Sequence, residues 1–138
     1  ILGLREGLRM ILEEGMERRF ERHARIANAL RVGLEVIGLQ LVVPEPHRLN
    51  QITPIWIPEG IDDQGVRETL LRRYNIEIGR GLGRFAGKVW RIGLMGASCR
   101  EENVLALLAA LEQILPTFGY EVAVGAGVSS ASEALDES

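Results

Sequence analysis

The segment EENVLALLAALEQIL, residues 101 to 115, constrains the fold more than any other part of the chain. Val104, Leu107, Leu108, Leu111 and Leu115 recur at helical spacing and make one wide apolar face that has to be covered. Glu101 and Glu102 suit its first turn, Ser98 is placed to cap it, and Pro116 and Gly119 close it. Two further amphipathic helices are written near the start. Residues 3 to 14 put Leu4, Leu8, Ile11 and Leu12 at helical spacing, and Gly15 ends or kinks that helix. The next helix runs from about Glu17 to Val36, with Phe20, Ala24, Ala27, Leu30 and Leu34 on its apolar face. The opposite face is rich in arginine and glutamate, with Glu21 and Arg25 four residues apart. His23 belongs to that polar face, His47 to a proline-flanked loop, and both are expected at the surface.

Such helices need a sheet to cover, and strand patterns lie between them. Leu39 to Val43 reads as a strand, followed by the loop Pro44-Glu45-Pro46. Ile52 to Ile57 reads as another, although Pro54 argues against full pairing at that residue. Pro58-Glu59-Gly60 is a turn, and Asp62 or Asp63 is placed to cap a helix from about Asp63 to Tyr74. Asn75 to Ile78 and Val89 to Met95 complete the strands. The predicted order is α-α-β-β-α-β-β-α. It implies an α+β, two-layer sandwich whose small, mixed, mostly antiparallel sheet of three to four strands is covered by helices. Residues 1 to 120 form the domain, and residues 121 to 138, small and polar from Gly125 onward, read as a flexible tail.

Composition narrows function. No run of about 18 apolar residues exists, so no membrane span is expected. A net charge of −3 gives no reason to expect nucleic acid as a partner. Cys99 is the only cysteine, which spells out neither a disulfide nor a metal cluster and suits a reducing, cytoplasmic setting. Residues 1 to 20 carry charges throughout and do not read as a signal peptide, and the end lacks a peroxisomal tripeptide. The chain begins at Ile1, in mid-pattern and without a methionine, so it is expected to be a piece of a longer protein.

Charge is unevenly spread. Arg80, Arg84, Lys88, Arg91 and Arg100 lie between Glu77 and Glu101 with no acid among them. This local positive field suits a small anionic ligand. The stretch GLGRFAGKVWRIGLMG within it is not a nucleoside-triphosphate loop. That motif needs glycine at Leu82, a hydroxyl at Val89 and a following helix, where a strand is predicted here. Gly81, Gly83 and Ala86 fit the dinucleotide spacing, but again no helix follows to receive a pyrophosphate. Lys88 is the only lysine, and at the start of a strand it reads as exposed. Arg91 lies inside the strand between Trp90 and Ile92, with Gly93 on its own face leaving space beside it. An arginine there needs a partner: a ligand carboxylate gripped by two parallel hydrogen bonds, or an internal glutamate such as Glu77.

The ordered runs ILGLREGLRMILEEGMERRFERHARIANAL and YNIEIGRGLGRFAGKVWRIGLMGASCREENV, with the closing helix, resemble the C-terminal part of the class V aminotransferases. The nearest relatives look like alanine–glyoxylate and serine–pyruvate transaminases, and the resemblance spans residues 2 to 119. It implies a small C-terminal domain from a homodimeric enzyme of fold type I that uses pyridoxal phosphate. It places the substrate's α-carboxylate on Arg91, with Gly81 and Gly83 lining the site and Lys88 a bystander. It also implies that the Schiff-base lysine and the large cofactor-binding domain lie upstream of this chain. No catalytic or cofactor-binding residue is then expected within it, and alone it is expected to bind little cofactor and to be inactive. The substrates implied are a small amino acid and a 2-oxo acid. The alternatives are a stand-alone 2-oxo-acid-binding or regulatory module and a domain whose helices pair with another chain.

Overall fold

The computed structural model describes residues 1 to 137. Ser138, the last residue of the segment read as a tail, lies outside the described residues. Two consecutive helices open the chain, α1 (Leu2–Glu14) and α2 (Met16–Val36), divided at Gly15, whose φ of 83° breaks the helical path. Glu14 fastens the joint by accepting from Arg19 at 2.8 Å and Arg22 at 2.5 Å. Strand β1 (Ile52–Trp56), helix α3 (Asp63–Tyr74), strands β2 (Gly79–Arg80) and β3 (Val89–Gly93), and helices α4 (Glu101–Ile114) and α5 (Ala126–Asp136) follow.

The sheet is antiparallel throughout, in the order β1-β3-β2. One face is packed by helices. Ile26, Leu30 and Leu34 of α2, Val66 and Leu70 of α3, and Leu108 and Leu111 of α4 join Ile55, Trp90 and Ile92 of the sheet in one buried core. Each such side chain contributes roughly 1.5–3 kcal/mol when buried. The α+β class with helices over a small sheet is as expected; the element order is α-α-β-α-β-β-α-α instead.

Three departures have physical causes. Leu39 to Val43 forms only the bridge Leu41↔Ile55 rather than a strand. Ile57 N donates to Lys88 O and Leu94 N to Gln51 O, so odd-numbered positions of β1 face β3. Even-numbered positions face residues 40 to 42, with Val42 N donating to Pro54 O and Trp56 N to Gln40 O. Pro54 has no N–H to return, and the ladder stops there. Asn75 to Ile78 is not a strand either: Asn75 ends α3 in the left-handed conformation, φ 55°, and pairing begins only at Gly79.

The segment read as a flexible tail holds α5, which buries Gly127, Ala131 and Leu135. Its small residues are the reason it fits. A Cβ on Gly33 would lie 2.9 Å from Gly127 O, and one on Gly127 2.8 Å from Gly33 O, so α2 and α5 touch backbone to backbone. Glu112 of α4, only 2% exposed, accepts from Gly125 N and Gly127 N at 2.7 Å each and from Val128 N at 3.2 Å. A helix start has unsatisfied N–H groups and a positive end, and this carboxylate answers both.

The expected faces and caps also shift. His23 is buried, not on the surface, because it stands three and four residues before Ile26 and Ala27 on the inward stripe. Its Nδ1 lies 2.7 Å from Arg19 O. Phe20 and Ala24 are exposed instead. Arg25 pairs with Glu101 of α4 rather than with Glu21. Neither Asp62 nor Asp63 caps α3, and Ser98 does not cap α4. Ser98 donates to Met95 O and Asn103 to Ser98 O.

Replacing Glu112 by alanine strands three N–H groups at the start of α5, of which that of Gly127 is buried. It is expected to cost about 2–4 kcal/mol. Urea denaturation gives the loss, and hydrogen exchange should show α5 opening ahead of α4.

Candidate functional site

Side chains alternate along β3, and the alternation sorts the chemistry. Trp90 and Ile92 turn into the helical layer and are buried. Arg91 stands on the other, outer face, half-buried. Its cross-strand neighbours are Pro54 on β1 and Gly79 on β2, and neither carries a polar side chain. The guanidinium lies over Gly79, where a Cβ would sit 3.3 Å from Nη2. Nε donates to Arg80 O at 2.9 Å, which fixes the roll of the group. Among the described residues no carboxylate pairs with Arg91, so the internal partner offered by Glu77 is not taken up. The two terminal nitrogens remain available for the paired hydrogen bonds of an external carboxylate.

The loop between β2 and β3 forms the adjoining wall. Residues 83 to 85 make a 3-10 turn, and Phe85 packs on Trp56 of β1 with ring centroids 6.0 Å apart. Arg84 stacks over Phe85 at 4.9 Å. Gly81, expected to line the site, is buried, and a Cβ there would sit 2.0 Å from Phe85 O. Its smallness lets the loop close. Gly83 is exposed at φ 55° on the loop surface. Lys88 is exposed, and no hydrogen bond or ion pair holds its ammonium among the described residues. No cluster of histidine, cysteine or acidic residues suited to a metal occurs among them either, and no helix is long and apolar enough to cross a membrane.

Sequence reasoning missed the support behind Arg91. Trp90 Nε1 donates to Asp63 Oδ1 at 2.9 Å, and Arg67 Nε donates to the same oxygen at 2.7 Å. A buried tryptophan needs an acceptor for its N–H, and that requirement was the available signal. The hydrogen bond from Arg67, with that from Trp90, holds the Asp63 carboxyl below the usual carboxylate range against the opposing cost of burial. A separate cavity of about 270 Å³ opens beside Ile92, Gly93 and Leu94, walled by Asn75, Glu77 and Asn103, but Arg91 does not line it.

These features define a class: an α+β domain with helices on one face of a short antiparallel sheet and an unpaired guanidinium on the other. No protein-family model matches the chain. It is similar to the (S)-ureidoglycine–glyoxylate transaminase of Bacillus subtilis, 43% identical over 136 residues that cover 99% of this chain and 33% of that protein. The serine–glyoxylate aminotransferase of Arabidopsis thaliana is 39% identical over 136 residues, covering 98% and 34%. Among solved structures, the ureidoglycine–glyoxylate aminotransferase from Bacillus subtilis superposes with a TM-score of 0.93 at 44% identity, covering 96% of this chain and 34% of that one. An alanine–glyoxylate aminotransferase from Nostoc sp. gives 0.79 at 48% identity, covering 81% and 30%. The chain belongs to the class V aminotransferase family and matches its C-terminal domain. It spans about a third of the length of the relatives it matches.

Pyridoxal phosphate, the cofactor of that family, does not fit the residues present here. An amine must meet its aldehyde, and the only lysine, Lys88, is exposed just before β3. Asp63, the acid bonded to the arginine's strand, is already committed to Trp90 and Arg67.

The Asp63 contacts set a pH dependence. The folded carboxyl is depressed, so its contribution is complete above the usual value of 3.8 and is lost as pH falls through the lower folded value. The difference in Tm between the parent and Asp63→Asn should therefore be largest near neutral pH and narrow steadily below 3.8. A difference independent of pH would contradict this.

Proposed function

We propose that this domain supplies the substrate-carboxylate clamp of a pyridoxal-phosphate-dependent aminotransferase, which moves an amino group from alanine, serine or a similar small amino acid to glyoxylate or another 2-oxo acid. One observation carries the reading: among the described residues Arg91 has no acid of its own, and its terminal nitrogens are unmatched on the outer face of the sheet. The relatives compared above are named as glyoxylate aminotransferases, which supports the reaction class. The cofactor, bound elsewhere in the whole protein, would supply the electron sink for the amino acid's Cα. The proposal includes the homodimer implied by the family and the inactivity of these residues taken alone. The exposed, unsupported Lys88 favours the latter.

Arg91 acts by holding and orienting. Its planar fork receives both carboxylate oxygens, and the bond from Nε to Arg80 O keeps that fork from turning. Orientation of this kind lowers the barrier because the reacting carbon arrives already placed.

Arg91→Ala in the whole protein is expected to lower kcat/KM for the amino acid on the order of 10²-fold, or roughly 2–4 kcal/mol. An amine lacking the carboxylate should be slowed only a few-fold, about 1 kcal/mol or less. Arg91→Lys should recover only part, since an ammonium lacks the fork. Equal slowing of amino acid and amine would sink the clamp.

A further inference from the structure

Gly93 follows Arg91 by two residues on the same face of β3. A strand glycine weakens its strand, so it needs a reason. Two common reasons are absent. Gly93 is not among the residues of positive φ, so the backbone tolerates a side chain. A Cβ there would meet only Met95 Cε at 3.1 Å, the free end of a flexible side chain. Gly81 is the contrast, with backbone 2.0 Å from its Cβ position. Neither the conformation nor the packing of this chain therefore asks for glycine at 93.

The surroundings of Arg91 say what does. On the outer face its neighbours are Val89, Pro54, Gly79 and Gly93. Val89 is 3% exposed, the guanidinium itself lies over Gly79, and Pro54 carries a rigid ring. Gly93 alone is exposed and bare. Of these four neighbours, Gly93 is the one that leaves bare strand surface to receive the carbon skeleton of an acid gripped by Arg91.

We propose that Gly93 is a specificity-determining position: it is the floor beneath the skeleton of a small 2-amino or 2-oxo acid held by Arg91, and Met95 is the wall beyond it. This rests on the reading of Arg91 as a carboxylate clamp. The size of residue 93 then sets how large an acid fits, while the carboxylate contact stays the same.

The test uses four carboxylates of increasing bulk, acetate, propionate, butyrate and isovalerate, as competitive inhibitors of the whole aminotransferase that contains this chain. Arg91→Ala should raise all four inhibition constants by a similar factor, because the carboxylate is shared. Gly93→Val should raise them in order of size, with acetate nearly unchanged and isovalerate weakened by 10-fold or more, on the order of the discrimination a few methyl groups give in an apolar pocket. Gly93→Ala should show the same order more weakly, and Met95→Ala added to it should relieve the loss. A loss independent of inhibitor size, or none, overturns the role of Gly93. If Arg91→Ala leaves every constant unchanged, the clamp reading itself falls, whatever Gly93 does. Should Gly93→Val fail to fold, Gly93→Ala decides the matter, since its single methyl meets only Met95.

Discussion

The alternation of side chains along β3 is the constraint on which the domain depends. Neighbouring residues on a strand point to opposite faces, and here the neighbours are Trp90 and Arg91. Trp90 is fully buried and gives the helical layer a large apolar anchor, with its N–H secured by Asp63 of α3. That anchorage fixes the strand, and fixing the strand fixes Arg91 on the far side. A shift in register by one residue would put the arginine in the core and the indole in water. Pairing on both edges, to β1 and β2, opposes such a slip. Core packing and the presentation of the cation are therefore one problem, solved by five residues.

What was legible in the sequence follows from how local each cause is. α1, α2 and α4 show their periodicity within their own residues and were read from it, while α3, β1 and β3 were placed between turn and cap residues. Arg91 was legible because a charge in an apolar strand asks for a partner; that Glu77 keeps apart was not, since it depends on where the chain turns after α3. The strand expected at Leu39 to Val43 failed for a reason 11 residues away, the missing donor at Pro54. His23 was misplaced because its polarity hid its register with Ile26 and Ala27. Gly81 was given to the site when its task is internal.

The largest misreading concerned α5. A run of glycine, alanine and serine has little to bury on its own, which is why it looked unstructured. Its partners are supplied by other elements: the carboxylate of Glu112 from α4 and the bare backbone at Gly33 on α2. Smallness here is the means of contact. The same residue type thus serves three ends in this chain, loop closure at Gly81, helix approach at Gly33 and Gly127, and open surface at Gly93, and only the three-dimensional neighbours tell them apart.

The capping of α5 by a side chain from α4 has a consequence for the order of events during synthesis. α2 emerges before α4 and α5, whose Leu108 and Gly127 meet it at Gly33. α4 must fold and bring Glu112 to its position before α5 gains a first turn that holds. The contact between α2 and α5 therefore closes over about 95 residues, a long-range closure of the kind that slows folding. Until α4 and α5 have both docked, the small-residue face of α2 at Gly33 lacks its partners.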